Sequence, residues 1–273
     1  MREIKAEQIK QAVMELVRKA NFILRSDVLM ALKCAYKIEK NKRAKTILKA
    51  ILENATFAKK ESLAICQDTG LPVVFVEVGQ DLKVTGDLKK AINQGIEKGY
   101  KKYSLRNSIV ADPLIRGSSK FSPSVMHLDI VKGSKIKLTV LPKGFGCENK
   151  SQLKMFRPTA SIEEIKKFIV EAVKAAGPDA CPPYVVGVGI GGTADYAGVL
   201  AKKALLSRLQ SKSSRLENDL LKEINKTAIG PMGLGGKTTA LAVKIQKYPT
   251  HIAGLAVNVN ISCHALRSAS VIL

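Results

Sequence analysis

The sequence predicts an α+β (or α/β) protein, and three observations carry that expectation. Apolar stripes at helical spacing run through the first sixty residues. Two alternating runs flank a glycine-containing turn near the middle, the pattern of a β-hairpin. From Ser161 onward, capped helical stripes alternate with short apolar runs that read as strands. With 273 residues, 46% of them hydrophobic, the chain can bury a substantial core as one large domain or two small lobes. It shows no repeat, low-complexity tract or linker, so a single domain over 1–273 is expected.

Each element has its own signal. Ile9, Val13, Leu16, Val17 and Ala20 share one helical face. Ser26 or Asp27 can cap the next helix, in which Cys34 sits among Met30, Ala31, Leu32 and Ala35 and reads as a core residue. Ile47, Leu48, Ile51, Leu52 and Ala55 form a third stripe. The polar turn Cys66-Gln67-Asp68-Thr69-Gly70 precedes a strand over 71–78. Met126, Leu128 and Ile130 alternate with His127 and Asp129. Beyond the turn Lys132-Gly133-Ser134-Lys135, Ile136, Leu138 and Val140 line a returning strand, and His127 falls on the solvent side of this hairpin. Ser161 and Glu164 form a capping box for a helix that ends at Gly177. Tyr184–Ile190 reads as a buried strand, 193–209 as a helix, Leu216, Leu220, Leu221 and Ile224 as another, and 239–245 and 252–261 as late strands.

Composition bounds the function. The net charge is +22, from 45 basic and 23 acidic side chains, which raises nucleic acid as a partner. The excess is mostly lysine spread from Lys5 to Lys247, Trp is absent and aromatics are sparse, so stacking platforms are few and a basic nucleic-acid-binding protein is the weaker reading. Solvated lysine faces explain the charge, and a positive field would also attract a small dianion. No apolar run is long enough for a membrane span, and the charged first twenty residues contain no signal peptide, so a cytoplasmic protein is expected. The five cysteines, at 34, 66, 147, 181 and 263, include no CxxC pair.

Two glycine-rich segments suggest nucleotide binding, and neither holds up. Gly187-Val188-Gly189-Ile190-Gly191-Gly192 fits GxGxxG between a strand and a helix, but position 212 is Lys where a ribose-binding acid would be sought. Close backbone packing explains its glycines as well. Gly233-Leu234-Gly235-Gly236-Lys237-Thr238-Thr239 lacks the Walker spacing, because position 231 is Pro and the glycine stands at Gly230. Its amides and Lys237 could still hold a carboxylate.

Three cysteines have distinctive settings. Cys66 opens a polar turn, Cys181 precedes Pro182-Pro183, and Cys263 ends a strand-like run before His264; they lie 115 and 82 residues apart. The segment Ile65-Cys66-Gln67-Asp68-Thr69-Gly70 resembles the first cysteine motif of class I fumarate hydratases and L-tartrate dehydratases. Residues 144–155, reading GFGCENKSQLKM, resemble that family's ENKS segment. Cys181-Pro182-Pro183 with the following glycines resembles its second cysteine motif, residues 230–239 its GLGGKTT segment, and residues 251–267 the segment of its third cysteine. The motifs occur in order across most of the chain.

The resemblance implies the α subunit of an iron–sulfur hydro-lyase, with a [4Fe–4S] cluster held by Cys66, Cys181 and Cys263. The implied reaction is reversible hydration of a dicarboxylate, first of all fumarate to malate, with tartrate dehydration as the alternative. It implies Asp68 as proton donor to the leaving oxygen, His251 as an active-site histidine, and Gln67, Arg106 and the Gly146 amide as substrate contacts. Asp68 could instead merely cap its turn, Arg106 could be a surface residue, and His251 a buried structural histidine. Cys147 stands where the family has a small non-ligand residue. The chain ends soon after Cys263, so the remaining catalytic residues are expected on a separate β subunit.

Overall fold

A computed structural model describes residues 2–273. In chain order the elements are β1 (Arg2–Lys5), α1 (Ala6–Phe22), α2 (Ser26–Ile38), α3 (Lys42–Glu61), β2 (Leu71–Gly79), β3 (Leu82–Thr85) and α4 (Leu88–Lys102). Then follow β4 (Ile109–Asp112), β5 (Arg116–Lys120), β6 (Val125–Val131), β7 (Ile136–Lys143), α5 (Phe145–Glu148), β8 (Gln152–Phe156) and α6 (Ile162–Ala176). The last are β9 (Tyr184–Ile190), α7 (Ala194–Leu206), α8 (Arg215–Lys226), β10 (Ala240–Lys247), β11 (Leu255–Ser262) and β12 (Ala269–Ile272). The class is mixed α+β, as the sequence predicts. The chain divides into two compact units. The first takes residues up to Arg25, Phe57–Phe145 and Arg267–Leu273; the second takes Ser26–Thr56 and Gly146–Leu266.

In the first unit a four-stranded sheet has the order β12-β7-β2-β6. The predicted strands at 126–140 form, but they are not a hairpin. β2 lies between them, parallel to β6 and antiparallel to β7. Alternation records which face a residue takes, not which strand is its neighbour, and so left the pairing open. Central β2 is buried on both faces from Val73 to Val76, while edge strand β6 leaves Leu128 and Ile130 59% and 76% exposed. His127 is half-buried rather than on the solvent side, stacked on Phe75 with ring centroids 5.0 Å apart. The core is built from Ile9, Val13, Leu16 and Val17 of α1, Ile92, Ile96 and Tyr100 of α4, and the inward residues of β2 and β7.

In the second unit the sheet order is β10-β9-β11-β8, with β9 parallel to β10 and antiparallel to β11. β9 is buried from Tyr184 to Val188, as its apolar run predicts. α7 lies against it so closely that a Cβ on Gly187 or Gly189 would come within 2.2 Å and 2.0 Å of the Ala201 and Ala197 carbonyl oxygens. That contact accounts for the first two glycines of the GxGxxG run through helix–strand packing, while Gly191 and Gly192, at φ +94° and +67°, take a backbone conformation that favours glycine. The capping box of Ser161 and Glu164 starts α6, and Gly177, at φ +56°, ends it. Cys34 is exposed, which overturns its reading as core: α2 buries Val28, Leu32 and Ala35, and Cys34 falls off that stripe. Among the described residues no helix is long and apolar enough to cross a membrane.

Candidate active site

The turn carrying Cys66 is anchored on both sides, before it at Ile65 and within it from Asp68 to Gly70. The Ile65 amide donates to Asn21 O at 2.9 Å. The hydroxyl of Tyr100 donates to the carbonyls of Thr69 and Gly70 at 2.8 and 3.1 Å. Burial pushes the Tyr100 hydroxyl pKa up, so it remains a donor. Buried Thr69 accepts the Arg106 amide on Oγ1 at 3.0 Å. Gly70 needs its φ of +77° and its missing side chain, since a Cβ would meet the Pro142 carbonyl carbon at 2.7 Å. The Cys66 Sγ, half-buried, faces Gln67 Oε1 at 3.6 Å.

Asp68 does cap its turn, since Oδ1 accepts the Gly70 amide at 2.9 Å; in addition Oδ2 accepts the Phe145 amide at 2.8 Å. Both carboxylate oxygens are thus aimed by backbone donors, and each keeps acceptor capacity for a further partner. The Asp68 carbonyl accepts from Arg267 Nη2 at 2.7 Å. The first unit therefore assembles Cys66, Gln67, Asp68 and the Arg106 backbone around one turn. The Gln67 and Arg106 side chains are exposed.

The second unit fixes Cys181 as firmly. Cys181 has φ +56°, unusual for a residue with a side chain, and its amide donates to Pro178 O at 3.0 Å. The Met232 amide reaches Pro182 O at 2.8 Å. Tyr184, its pKa raised chiefly by burial, donates its hydroxyl to Gly177 O. His264 holds the Cys181 carbonyl twice, from its amide at 3.3 Å and with Nδ1 3.1 Å away. The turn of Cys181 is thereby joined to the residue that follows Cys263, and both cysteines are half-buried. Cys147 is buried, its Sγ donating to Ala180 O at 3.3 Å, beside Cys181 but facing the turn's backbone. Among the described residues no group of three or more His, Cys, Asp or Glu side chains is placed to hold a metal ion.

The GLGGKTT loop does meet a carboxylate, and it is the chain's own. Buried Glu39 accepts the Lys237 amide on Oε2 at 2.7 Å and the Lys40 and Asn41 amides on Oε1. Gly236, at φ +111°, must be glycine because a Cβ would lie 2.7 Å from that Oε2. Gly146 is exposed on α5. In the same ENKS segment, Asn260 Nδ2 donates to Glu148 Oε2 and Ser151 Oγ, and Lys202 pairs with Glu148 at 2.6 Å. His251 is exposed, not a buried structural histidine, and its Nδ1 accepts the Ala253 amide at 3.1 Å. In the neutral ring that leaves the proton on Nε2. Asn21, Tyr100, Glu39, His264 and Arg267 are site-supporting residues that sequence reasoning missed. Asn21 and Arg267 could have been suspected as polar residues inside apolar runs.

The model of the family described as fumarate hydratase (Fumerase) matches residues 10–272. A Methanocaldococcus jannaschii protein provisionally named L(+)-tartrate dehydratase subunit alpha is 42% identical over 275 residues, covering 96% of each chain. The L(+)-tartrate dehydratase subunit alpha of Escherichia coli K12 is 30% identical over 256 residues, covering 90% of this chain and 84% of its own. On a match that spans almost the whole sequence, and with relatives aligned along most of their length, the chain belongs to the fumarate hydratase (Fumerase) family of hydro-lyases.

Proposed function

We propose that the chain is the α subunit of a two-subunit hydro-lyase, carrying a [4Fe–4S] cluster on Cys66, Cys181 and Cys263 and interconverting fumarate and malate with a β subunit. The observation that carries this reading is the difference among the five thiols. Cys66, Cys181 and Cys263 are half-buried next to immobilised turns, Cys147 is buried with its thiol directed at a carbonyl, and Cys34 sits on a helix surface. Three accessible thiolates are a soft donor set suited to an iron–sulfur cluster. When bound, a cluster with three protein ligands leaves one iron open and supplies a Lewis acid.

The chain's own residues supply the rest. Asp68, aimed by the Gly70 and Phe145 amides, delivers a proton to the leaving oxygen from a carboxyl oxygen that keeps a lone pair free of those amides. Arg106 is tethered through its backbone to the Cys66 turn, and its guanidinium offers a two-point grip on a substrate carboxylate. The side-chain amide of Gln67 and the Gly146 amide add neutral donors. His251, with its proton on Nε2, contributes one more. The residue that handles the carbon-bound proton is assigned to the β subunit. A second reading, dehydration of L(+)-tartrate, is favoured by the names of the relatives.

The test is anaerobic co-expression with a β-type chain, followed by assays on fumarate, malate and L(+)-tartrate. Cys66→Ser, Cys181→Ser and Cys263→Ser should each abolish iron binding, while Cys34→Ser keeps it. Iron retained in Cys181→Ser, or lost in Cys34→Ser, would overturn the ligand set. Turnover of tartrate without turnover of fumarate would replace the first substrate by the second.

A further inference from the structure

Arg267 lies in the first unit and is 3% exposed. Its direct hydrogen-bond acceptors are neutral. Nη2 donates to the Asp68 carbonyl at 2.7 Å, Nη1 reaches Asn21 Oδ1 at 3.4 Å, and Nε has no partner. Among the described residues it forms no ion pair. A buried guanidinium served only by neutral acceptors is a poor device for stability, because its desolvation is not repaid by an opposing charge in contact. What it does accomplish is local: it pins one peptide of the Cys66 turn. Asp68 Oδ2 and Arg267 Nη2 both lie within 4.0 Å of the space a side chain at Gly144 would fill, so the guanidinium also sits near the carboxylate it supports.

The division of labour around Asp68 is clear from the contacts. Tyr100 holds the next two carbonyls, of Thr69 and Gly70. The amides of Gly70 and Phe145 hold the two carboxylate oxygens. Arg267 alone among these acts on Asp68's own carbonyl, and so sets the orientation of the backbone from which the side chain departs. We propose that Arg267 is a positioning residue for catalysis, gripping the Asp68 carbonyl so that the Asp68 carboxyl is held in its working direction. The proposal rests on the reading of Asp68 as the proton donor.

The experiment is a double-variant cycle in the assembled, cluster-loaded heteromer. Displacing a catalytic group by about 1 Å can cost about a hundredfold in rate. Arg267→Met should therefore lower kcat by about a hundredfold with KM changed less than about threefold, and with iron content and the visible spectrum of the cluster unchanged. Arg267→Lys, which keeps a charged donor, should recover part of the loss. In an Asp68→Asn background the Arg267→Met change should cost almost nothing further, since the group it positions is already disabled. Loss by the same factor in both backgrounds, or loss of iron in Arg267→Met, would overturn the proposal while leaving Asp68 in its role. Full activity of Asp68→Asn would instead remove Asp68 as donor, and the proposal with it. If Arg267→Met does not fold, Asn21→Ser weakens the grip from the other side; a drop in kcat that persists undiminished in the Asp68→Asn background would then refute it.

Discussion

The Arg106 amide is bound to Thr69 Oγ1 at 3.0 Å while its guanidinium stands in solvent, so the residue is anchored to the Cys66 turn by backbone and free to act by side chain. Losing one partner of a desolvated, charge-assisted hydrogen bond costs about 2–5 kcal/mol at interfaces, and each 1.4 kcal/mol is about tenfold. Arg106→Ala should thus lower kcat/KM by about two orders of magnitude or more, and Arg106→Lys should recover only part, for want of the fork. Iron content should not change in either. Steady-state kinetics of the heteromer with parallel iron analysis checks this, and near-normal efficiency in Arg106→Ala would take the residue out of the site. At this scale the sequence was informative where chemistry is local: Cys66, Gln67 and Asp68 are contiguous and share one turn. It was silent on Arg267, Tyr100 and Asn21, which meet that turn only after the chain has closed over it. Cys34 differs from its apolar neighbours for the opposite reason: one helical step from buried Ala35 places its thiol on the surface.

The elements that present these residues are held by close approaches and by single buried carboxylates, and both make measurable predictions. A methyl group at Gly189 would need to occupy space 2.0 Å from Ala197 O, so α7 would have to move off β9. Overpacking of this kind typically costs about 1–3 kcal/mol. Gly189→Ala should lower the thermal midpoint by several degrees, and an unchanged midpoint in calorimetry would show that helix and strand can separate without cost. Glu39→Gln tests the loop in a different way. It replaces one oxygen by an amide that would confront a backbone N–H, whether that of Lys237 or those of Lys40 and Asn41. An unsatisfied buried group costs about 1–3 kcal/mol, so hydrogen exchange in the GLGGKTT loop should accelerate in Glu39→Gln. Periodicity and capping residues revealed most helices and strands, because those signals are local. The order β12-β7-β2-β6 was not legible, because inserting β2 between β6 and β7 leaves the alternation of each strand unchanged.

For the molecule as a whole, the charge of +22 needs an account that neither core supplies. Many lysines are paired along exposed helix faces: Lys101 with Glu97 at 2.6 Å, Lys166 with Glu163 at 2.9 Å, Lys174 with Glu171 at 2.8 Å and Lys226 with Glu223 at 2.7 Å. Exposed pairs of this spacing contribute only about 0.3–0.5 kcal/mol each and fall with salt, so they explain the placement of lysines better than they explain stability. The unpaired remainder creates a long-range positive potential, and its effect is separable from that of Arg106 by ionic strength. The screening length shrinks from about 30 Å at 0.01 M to about 8 Å at 0.15 M. If the field attracts a dicarboxylate dianion, KM in the heteromer should rise severalfold over that range while kcat stays constant, because salt weakens encounter without touching the groups that react. Arg106→Ala should show the same relative salt response as the parent, since the field does not originate at that residue. A nucleic-acid-binding protein would behave differently: affinity for duplex DNA would fall as a steep power of salt, by about the number of phosphates neutralised, and would be substantial at 0.05 M. Titrating labelled duplex at that salt, with and without fumarate, sets the two against each other. Tight DNA binding together with a salt-independent KM would assign the charge to nucleic acid, whereas weak DNA binding with a salt-sensitive KM assigns it to the gathering of an anionic substrate.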